Sequence, residues 1–251
     1  HNAITVFCGS CLGDDPIYGE AADQLACAFV RRGVTLVYGG GTKGLMGRVS
    51  SRALDEGGKV HGIIPTAFLA QEAPDRAGTR PNEQETIVRS MHERKKMMAD
   101  LSYAFIGLPG GYGTLEEVAE MTTWSQIGVH LKPVVLLNIN GFYSALREFI
   151  NKCACLSPPR EPFMTDPSFL LHCLVLPHSP RPRSSIAAGY ISETHRNFLL
   201  FVDGPASKDA AFDWGEAALR AIDDWEAKGA GGAVPYSFEW SEDRRKGRAV
   251  L

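Results

Sequence analysis

Short apolar runs alternate along the chain with longer stretches in which apolar positions recur every three or four residues. The short runs predict buried strands, and the longer stretches predict amphipathic helices. The predicted strands are residues 3–8, 34–38, 60–64, 103–108, 133–138 and 197–202. The predicted helices are residues 16–32, 49–56, 86–101, 115–127, 142–152 and 206–227. Strands alternating with helices indicate an α/β fold, a doubly wound, mostly parallel sheet with helices on both faces.

We expect a single domain over residues 1–251, interrupted by segments that carry neither period. A polar loop rich in Pro and Gly occupies about residues 66–85. Residues 155–185 contain seven prolines, which predicts a disordered or loop insertion. The tail from about residue 228 is Gly-rich and then charged, so we expect it to be frayed.

Charge and cysteine content exclude several classes of function. With 26 basic and 29 acidic residues the net charge is −3, so neither nucleic acid nor an anionic membrane is expected as a partner. No apolar run approaches the roughly 20 residues of a membrane span. Six cysteines in 251 residues do not suggest a disulfide framework. We therefore expect a cytoplasmic protein, with no signal peptide ahead of the first strand.

The stretch Pro-Gly-Gly-Tyr-Gly-Thr-Leu-Glu-Glu, residues 109–117, links a predicted strand to a predicted helix. Its glycines let backbone N–H groups approach a phosphate, and the helix dipole favours the negative charge. We expect the N–H groups from Gly110 to Thr114 to hold that phosphate. Glu117 has two interpretations: with Thr114 it has the spacing of a capping box, and beside a phosphate cradle it is a candidate catalyst.

Arg94 lies in the middle of an apolar stripe on the predicted helix at residues 86–101. The other members of the stripe are Ile87, Met91, Met98 and Leu101. A buried guanidinium without a partner is costly, so we expect it to meet a carboxylate or a phosphate. An ordinary structural ion pair is the alternative. A basic residue near the cradle favours the catalytic interpretation of Glu117.

The sequence Gly39-x-Gly41-x-x-Gly44 formally matches the dinucleotide-binding fingerprint. The acidic residue that should end the next strand is missing, and Leu45 stands where a phosphate-binding loop of the Walker type has lysine. The glycines therefore serve either a tight turn with close helix packing or one wall of a mononucleotide pocket.

Cys8 and Cys11 have the spacing of a redox motif at the first strand-to-helix turn. Without a second cysteine pair or a nearby histidine, a zinc site is not indicated. We expect the cysteines to pack, and Gly9 and Ser10 to form hydrogen bonds to a ligand.

These motifs closely resemble those of the Lonely-guy (LOG) family, the cytokinin-activating nucleoside 5'-monophosphate phosphoribohydrolases. The family signature Pro-Gly-Gly-x-Gly-Thr-x-x-Glu stands at residues 109–117, and Met-His-x-Arg-Lys stands at residues 91–95. The glycine motif at residues 37–47 is also characteristic. The likeness extends to about residue 152 and resumes at about residue 189; the segment between, and Cys11 in place of a common serine, depart from the pattern.

The resemblance implies a Rossmann-like homodimer that hydrolyses the N-glycosidic bond of an N6-substituted AMP, releasing free base and ribose 5-phosphate. It implies catalytic roles for Arg94 and Glu117, and neither a metal nor another cofactor. It also implies substrate or phosphate contacts at Ser10, Gly40, Gly41, Glu72, Met91, Lys95, Gly110, Gly111, Tyr112, Gly113, Thr114, Glu116 and Thr123.

Two other functions fit the same fold. One is a carrier that holds a nucleotide or phosphorylated cofactor without cleaving it, as in molybdenum-cofactor carriers with a similar glycine motif. The other is a nicotinamide-dependent dehydrogenase. The family is often labelled lysine decarboxylase, but no lysine here has a sequence setting that favours a Schiff base to pyridoxal phosphate.

Overall fold

The computed structural model describes residues 2–68, 80–153, 191, 193–205 and 212–229. Two compact units divide the chain: His1–Ser144 with Asn197–Leu251, and Ala145–Arg196. The sheet lies within the first unit. The single domain remains a prediction, and the predicted insertion and the tail beyond residue 229 lie outside the described residues.

Within the described residues, seven strands form one sheet, in which every neighbouring pair is parallel. The strands are β1 (Ala3–Phe7), β2 (Thr35–Tyr38), β3 (Val60–Pro65), β4 (Glu83–Val88), β5 (Ala104–Gly107), β6 (Val134–Asn138) and β7 (Leu199–Asp203). Their order across the sheet is β4-β3-β2-β1-β5-β6-β7. The predicted α/β class is therefore confirmed, and all six predicted strands are present.

Strand β4 was not predicted, and its position explains why. It is the edge strand beside β3, and its sequence is Glu-Gln-Glu-Thr-Ile-Val. Only Val88 of this strand is buried. Because an edge strand needs no continuous apolar run, hydrophobic periodicity did not reveal it. The helix predicted from residue 86 is correspondingly wrong over residues 86–90.

One helix begins where it was predicted, at Pro16, and the other predicted helices begin at different residues. The helices are α1 (Pro16–Arg31), α2 (Gly44–Asp55), α3 (Met91–Leu101), α4 (Tyr112–Gln126), α5 (Ser144–Cys153), α6 (Glu193–Arg196) and α7 (Trp214–Ala227). Ser90 fixes the start of α3, because its side chain accepts a hydrogen bond from the Glu93 N–H at 3.1 Å. In the part of the chain that the structure describes, no helix is long and apolar enough to cross a membrane.

Side chains alternate between the two faces of the sheet, and helices cover both. Ile4 and Leu36 join a buried cluster with Phe29 of α1, and residues of α2 and α7 belong to the same cluster. Thr5 points to the opposite face, where its Oγ1 donates to the carbonyl oxygen of Met98 in α3 at 3.3 Å. Because the faces are covered, the carboxyl ends of the strands are the natural ligand site.

Candidate active site

The chain reverses its course across the sheet at β1, which lies between β2 and β5. In such sheets ligands bind outside the carboxyl ends of the strands at this point. The loops after β1 and β5 meet here, because the Gly9 N–H donates to the Pro109 carbonyl oxygen at 3.1 Å. A Cβ on Gly110 would lie 2.9 Å from the Gly9 nitrogen and 2.2 Å from Thr114 Oγ1. The Gly9 N–H, which we expected at a ligand, thus joins the two loops.

The loop after β2 reaches the same edge, and its glycines allow close packing. Gly44 has a φ of +60°, and a Cβ there would lie 2.2 Å from the carbonyl carbon of Ser10. Gly40 has a φ of +79°, and a Cβ there would lie 2.2 Å from Ile64 Cγ1. These positions fit the tight-turn interpretation. Contact of Gly40 and Gly41 with a nucleotide remains a prediction.

Arg94 of α3 is buried, with 4% of its surface exposed. Its Nη2 donates to the Gly39 carbonyl oxygen at 2.8 Å, and its Nη1 lies 3.8 Å from Met91 Sδ. A Cβ on Gly39 would lie 2.1 Å from Nη2, so the glycine makes room for the guanidinium. The predicted burial of Arg94 is confirmed, whereas Ile87 of the predicted stripe lies in β4 and is 58% exposed.

Glu117 lies in the second turn of α4, and the capping box predicted for it is wrong. Because α4 begins at Tyr112 with Gly111 as its N-cap residue, Thr114 lies inside the first turn. Glu117 is half-buried. Burial, and then the negative charge of Glu117, raise the pKa of the Cys8 thiol at the end of β1. The carboxylate of Glu117 therefore lies close to the carboxyl end of β1.

The first turn of α4 presents backbone N–H groups at this edge of the sheet. Gly111 has no side chain to accept hydrogen bonds from them, and the first turn contains no acidic residue. A Cβ on Gly111 or Gly113 would meet no atom within 4 Å. With the positive end of the helix dipole, this open turn can hold an anion such as a phosphate.

Lys95 and Glu116, both predicted to contact the ligand, contact each other. Lys95 Nζ lies 2.5 Å from Glu116 Oε1 and 2.8 Å from Glu120 Oε2. Burial alone would lower the pKa of Lys95, but pairing of its ammonium with the Glu116 and Glu120 carboxylates holds that pKa above its ordinary value. The sequence prediction missed Glu120, although its position one turn after Glu116 was a usable signal.

The remaining predicted contacts are spread more widely. Ser10 is exposed in the loop after β1, and Tyr112 is 94% exposed at the start of α4. Thr123 is exposed and donates to the Ala119 carbonyl oxygen at 2.8 Å. It lies about 16 Å along the helix from Tyr112, too far to share a single phosphate. Glu72 lies outside the described residues.

Cys8 and Cys11 are both free thiols. Cys8 is 7% exposed and belongs to the buried apolar cluster, which confirms its predicted packing role. Cys11 is exposed, so the packing predicted for it is wrong. Over the described residues, no group of three or more His, Cys, Asp or Glu side chains is arranged to hold a metal ion.

Comparisons with known proteins match the central part of the chain to one family. A family model described as "possible lysine decarboxylase" matches residues 46–157. The rice (Oryza sativa subsp. japonica) protein "Probable cytokinin riboside 5'-monophosphate phosphoribohydrolase LOGL1" is 51% identical over 151 residues, which is 60% of this chain and 66% of the relative. The Arabidopsis thaliana "Cytokinin riboside 5'-monophosphate phosphoribohydrolase LOG2" is 50% identical over 149 residues, which is 59% of this chain and 68% of the relative. The chain thus spans about two thirds of the relatives' length.

A molybdenum cofactor carrier protein, MCP from Chlamydomonas reinhardtii, has a similar solved structure. The likeness covers 90% of this chain and 98% of that one, with a TM-score of 0.50 and 17% sequence identity. At this identity the likeness shows the fold alone. The rice and Arabidopsis relatives are about 50% identical to this chain, and the Arabidopsis protein is matched over 68% of its length, which is enough to assign the family. The chain belongs to the LOG family, together with the rice and Arabidopsis proteins named as cytokinin riboside 5'-monophosphate phosphoribohydrolases.

Proposed function

We propose that this protein hydrolyses the N-glycosidic bond of a cytokinin riboside 5'-monophosphate, an N6-substituted AMP. The products are the free base and ribose 5-phosphate. The observation that carries the proposal is the position of Glu117, a half-buried carboxylate near the end of β1 and one turn from the open start of α4. The names of relatives about 50% identical to this chain support the same reaction.

The reaction replaces the bond from C1' to the base with a bond from C1' to water oxygen, and a water proton leaves with the base. Positive charge develops on the sugar as the C–N bond breaks, as in glycoside hydrolysis. Glu117 stabilises that charge or activates the water. Arg94 stays protonated, so it positions the phosphate, the ribose or Glu117 rather than accepting a proton. The first-turn N–H groups of α4 hold the phosphate.

Chromatography of isopentenyladenosine 5'-monophosphate incubated with wild type, Glu117→Gln and Arg94→Ala tests the proposal. Because it removes the charge but keeps the shape, Glu117→Gln should slow base release by a factor of about 10² to 10⁴. Glu20→Gln, which changes an exposed glutamate of α1, is the matched control and should keep the wild-type rate. A Glu117→Gln enzyme as fast as wild type would overturn the catalytic assignment.

The same preparation tests the carrier alternative. Wild-type protein that binds AMP tightly in calorimetry yet releases no base from any N6-substituted AMP would support a carrier. The likeness to the molybdenum cofactor carrier does not favour that outcome, because at 17% identity it concerns the fold alone.

The label "lysine decarboxylase" does not fit the chemistry of this site. A pyridoxal phosphate enzyme needs a lysine whose amine can lose its proton and form a Schiff base. Lys95 is paired with two carboxylates, and its pKa is raised. Burial lowers the pKa of Lys132, but that residue precedes β6 at the opposite end of the sheet.

We further propose a homodimer that works in the cytoplasm. Free thiols at Cys8, Cys11, Cys27 and Cys153 support a reducing compartment. Sedimentation should give twice the chain mass of 27.3 kDa, and a fluorescent fusion should fill the cytoplasm. A monomer that still releases base would remove the dimer proposal and leave the reaction in place.

A further inference from the structure

Lys95 is a buried ammonium between two helices that each carry a proposed catalytic residue. Its side chain is 9% exposed, against 54% for Glu116 and 25% for Glu120. Lys95 belongs to α3, and both glutamates belong to α4. The three side chains form an ion-pair bridge from α3 to α4, called the Lys95 bridge below.

The Lys95 bridge adjoins both proposed catalytic residues along the chain. Arg94 directly precedes Lys95, and Glu117 directly follows Glu116. Neighbouring residues of a helix point about 100° apart, so α3 can direct Lys95 to α4 while Arg94 contacts the loop after β2. A slide or rotation of α4 that breaks the bridge must therefore also move Glu117 relative to Arg94.

A phosphate contact for Lys95 is disfavoured by the local charge. An ammonium has three N–H donors; one donates to Glu116 Oε1, and Glu120 Oε2 lies 2.8 Å from the same nitrogen as an ion pair. One positive and two negative charges leave the cluster net negative, so a phosphate approaching Lys95 would be repelled by Glu116 and Glu120.

We propose that Lys95, with Glu116 and Glu120, is a positioning device that sets the register of α4 on α3 and hence the placement of Glu117. This inference rests on the proposed function, because it names what aligns that site. Misplacing a catalytic group by about 1 Å can cost about 10²-fold in rate. The bridge therefore acts on kcat through Glu117 rather than on binding of the phosphate.

Substitutions on the two sides of the bridge separate positioning from phosphate binding. If Lys95 positions α4, both Lys95→Met and the double variant Glu116→Gln, Glu120→Gln should lower kcat by about tenfold or more, with KM changed by less than about threefold. If Lys95 binds phosphate, Lys95→Met should raise KM, and removing the two carboxylates should free the ammonium and lower KM. The double variant thus gives opposite results under the two hypotheses.

Two further variants control the comparison. Lys96→Met removes the next lysine of α3, which pairs with Asp100 on the surface with side chains 63% and 62% exposed, and should keep kcat within about twofold. Lys95→Arg keeps the charge and can contact both carboxylates, so it should recover most of the kcat that Lys95→Met loses. If Lys95→Met does not fold, Lys95→Arg and the double variant Glu116→Gln, Glu120→Gln still distinguish positioning from phosphate binding.

Amide hydrogen exchange keeps this test separate from the proposed function. Lys95→Met should speed exchange in residues 112–117, where α4 begins, and Lys96→Met should not. If wild type releases no base, the proposed function fails, and hydrogen exchange alone then tests whether the Lys95 bridge holds α4 in place. Unchanged exchange, or a rise in KM with unchanged kcat, overturns the positioning role.

Discussion

Two glycine-rich segments follow parallel strands and lead into helices, yet Gly44 in the first has surroundings opposite to those of Gly111 and Gly113 in the second. In the loop after β2, a Cβ on Gly44 would overlap the backbone, 2.2 Å from the carbonyl carbon of Ser10. Where the loop after β5 leads into α4, a Cβ on Gly111 or Gly113 would meet no atom within 4 Å. The glycine of the first loop is required by packing within the chain. Gly111 and Gly113 leave space that the protein itself does not fill, whereas Gly110 is closely packed against Thr114.

This difference separates two meanings of one sequence signal. Glycines between a strand and a helix indicate either a close internal contact or access for a ligand. For the Gly39-x-Gly41-x-x-Gly44 motif the sequence left both meanings open, and the contact at Gly44 supports the first. For residues 109–117 the open space favours the second. Two substitutions test the comparison, and an acidification experiment on a residue outside both segments separates general stability from it; they follow from the largest expected effect to the smallest.

Gly44→Ala should destabilise the protein by more than about 3 kcal/mol. A left-handed backbone costs a residue with a Cβ about 1–2 kcal/mol, and the overlap with Ser10 adds to it. Urea unfolding followed by circular dichroism measures the loss. A variant as stable as wild type would show that the loop after β2 adapts easily, and the comparison would fail on its packed side.

Acidification should destabilise the protein through His130, which lies outside both loops. Burial, and then the positive charge of Lys132, lower the pKa of His130 from 6.5 to about 4. Because the folded state binds this proton less well than the unfolded state, stability is full above about pH 6.5 and falls as the pH drops toward 4. The loss should reach about 3 kcal/mol, since one pKa unit corresponds to about 1.4 kcal/mol.

Urea unfolding of wild type and His130→Gln between pH 4 and 7 measures this contribution. The variant lacks the titrating group, so its free energy of unfolding should change less than that of wild type over the same range. Parallel curves for the two proteins would assign the acid sensitivity to other groups.

Gly113→Ala should slow base release by about tenfold while leaving the fold intact, a separation that Gly44→Ala cannot show. The added methyl group enters the space at the start of α4 where we place the phosphate. Alanine also favours helix over glycine by up to about 1 kcal/mol, so stability should stay equal or rise. The rate of base release and the free energy of unfolding in urea, measured on one preparation, check the predicted loss of activity and the predicted stability. Wild-type activity would mean that this space is not used by the substrate.

The sequence predicted those parts of the fold whose determinants are local. Strands β1, β5 and β6 are buried at every position and appear as apolar runs. Strand β4 escaped because it is polar and lies at the sheet edge. The start of α4 was placed too late because two of its first residues, Tyr112 and Gly113, are poor helix formers, and contacts in the folded chain override that preference.

Some features of the site were predicted from the sequence and others were not. The burial of Arg94 followed from the spacing of its apolar neighbours, even though Ile87 did not belong to them. The Lys95 bridge joins residues 21 positions apart on two helices, and periodicity within one helix cannot indicate such a pair. Glycine spacing likewise carries no information on what surrounds each Cβ position, which only the folded chain determines.

The thiol of Cys8 gives the site a built-in spectroscopic reporter. Burial and the charge of Glu117 both raise its pKa, so it stays protonated at neutral pH, while the exposed Cys11 takes up alkylating reagents first. The S–H stretching vibration responds to nearby charge. Its frequency should therefore shift when Glu117 is neutralised by substitution or when an anion enters beside it, which makes the carboxylate observable without a label.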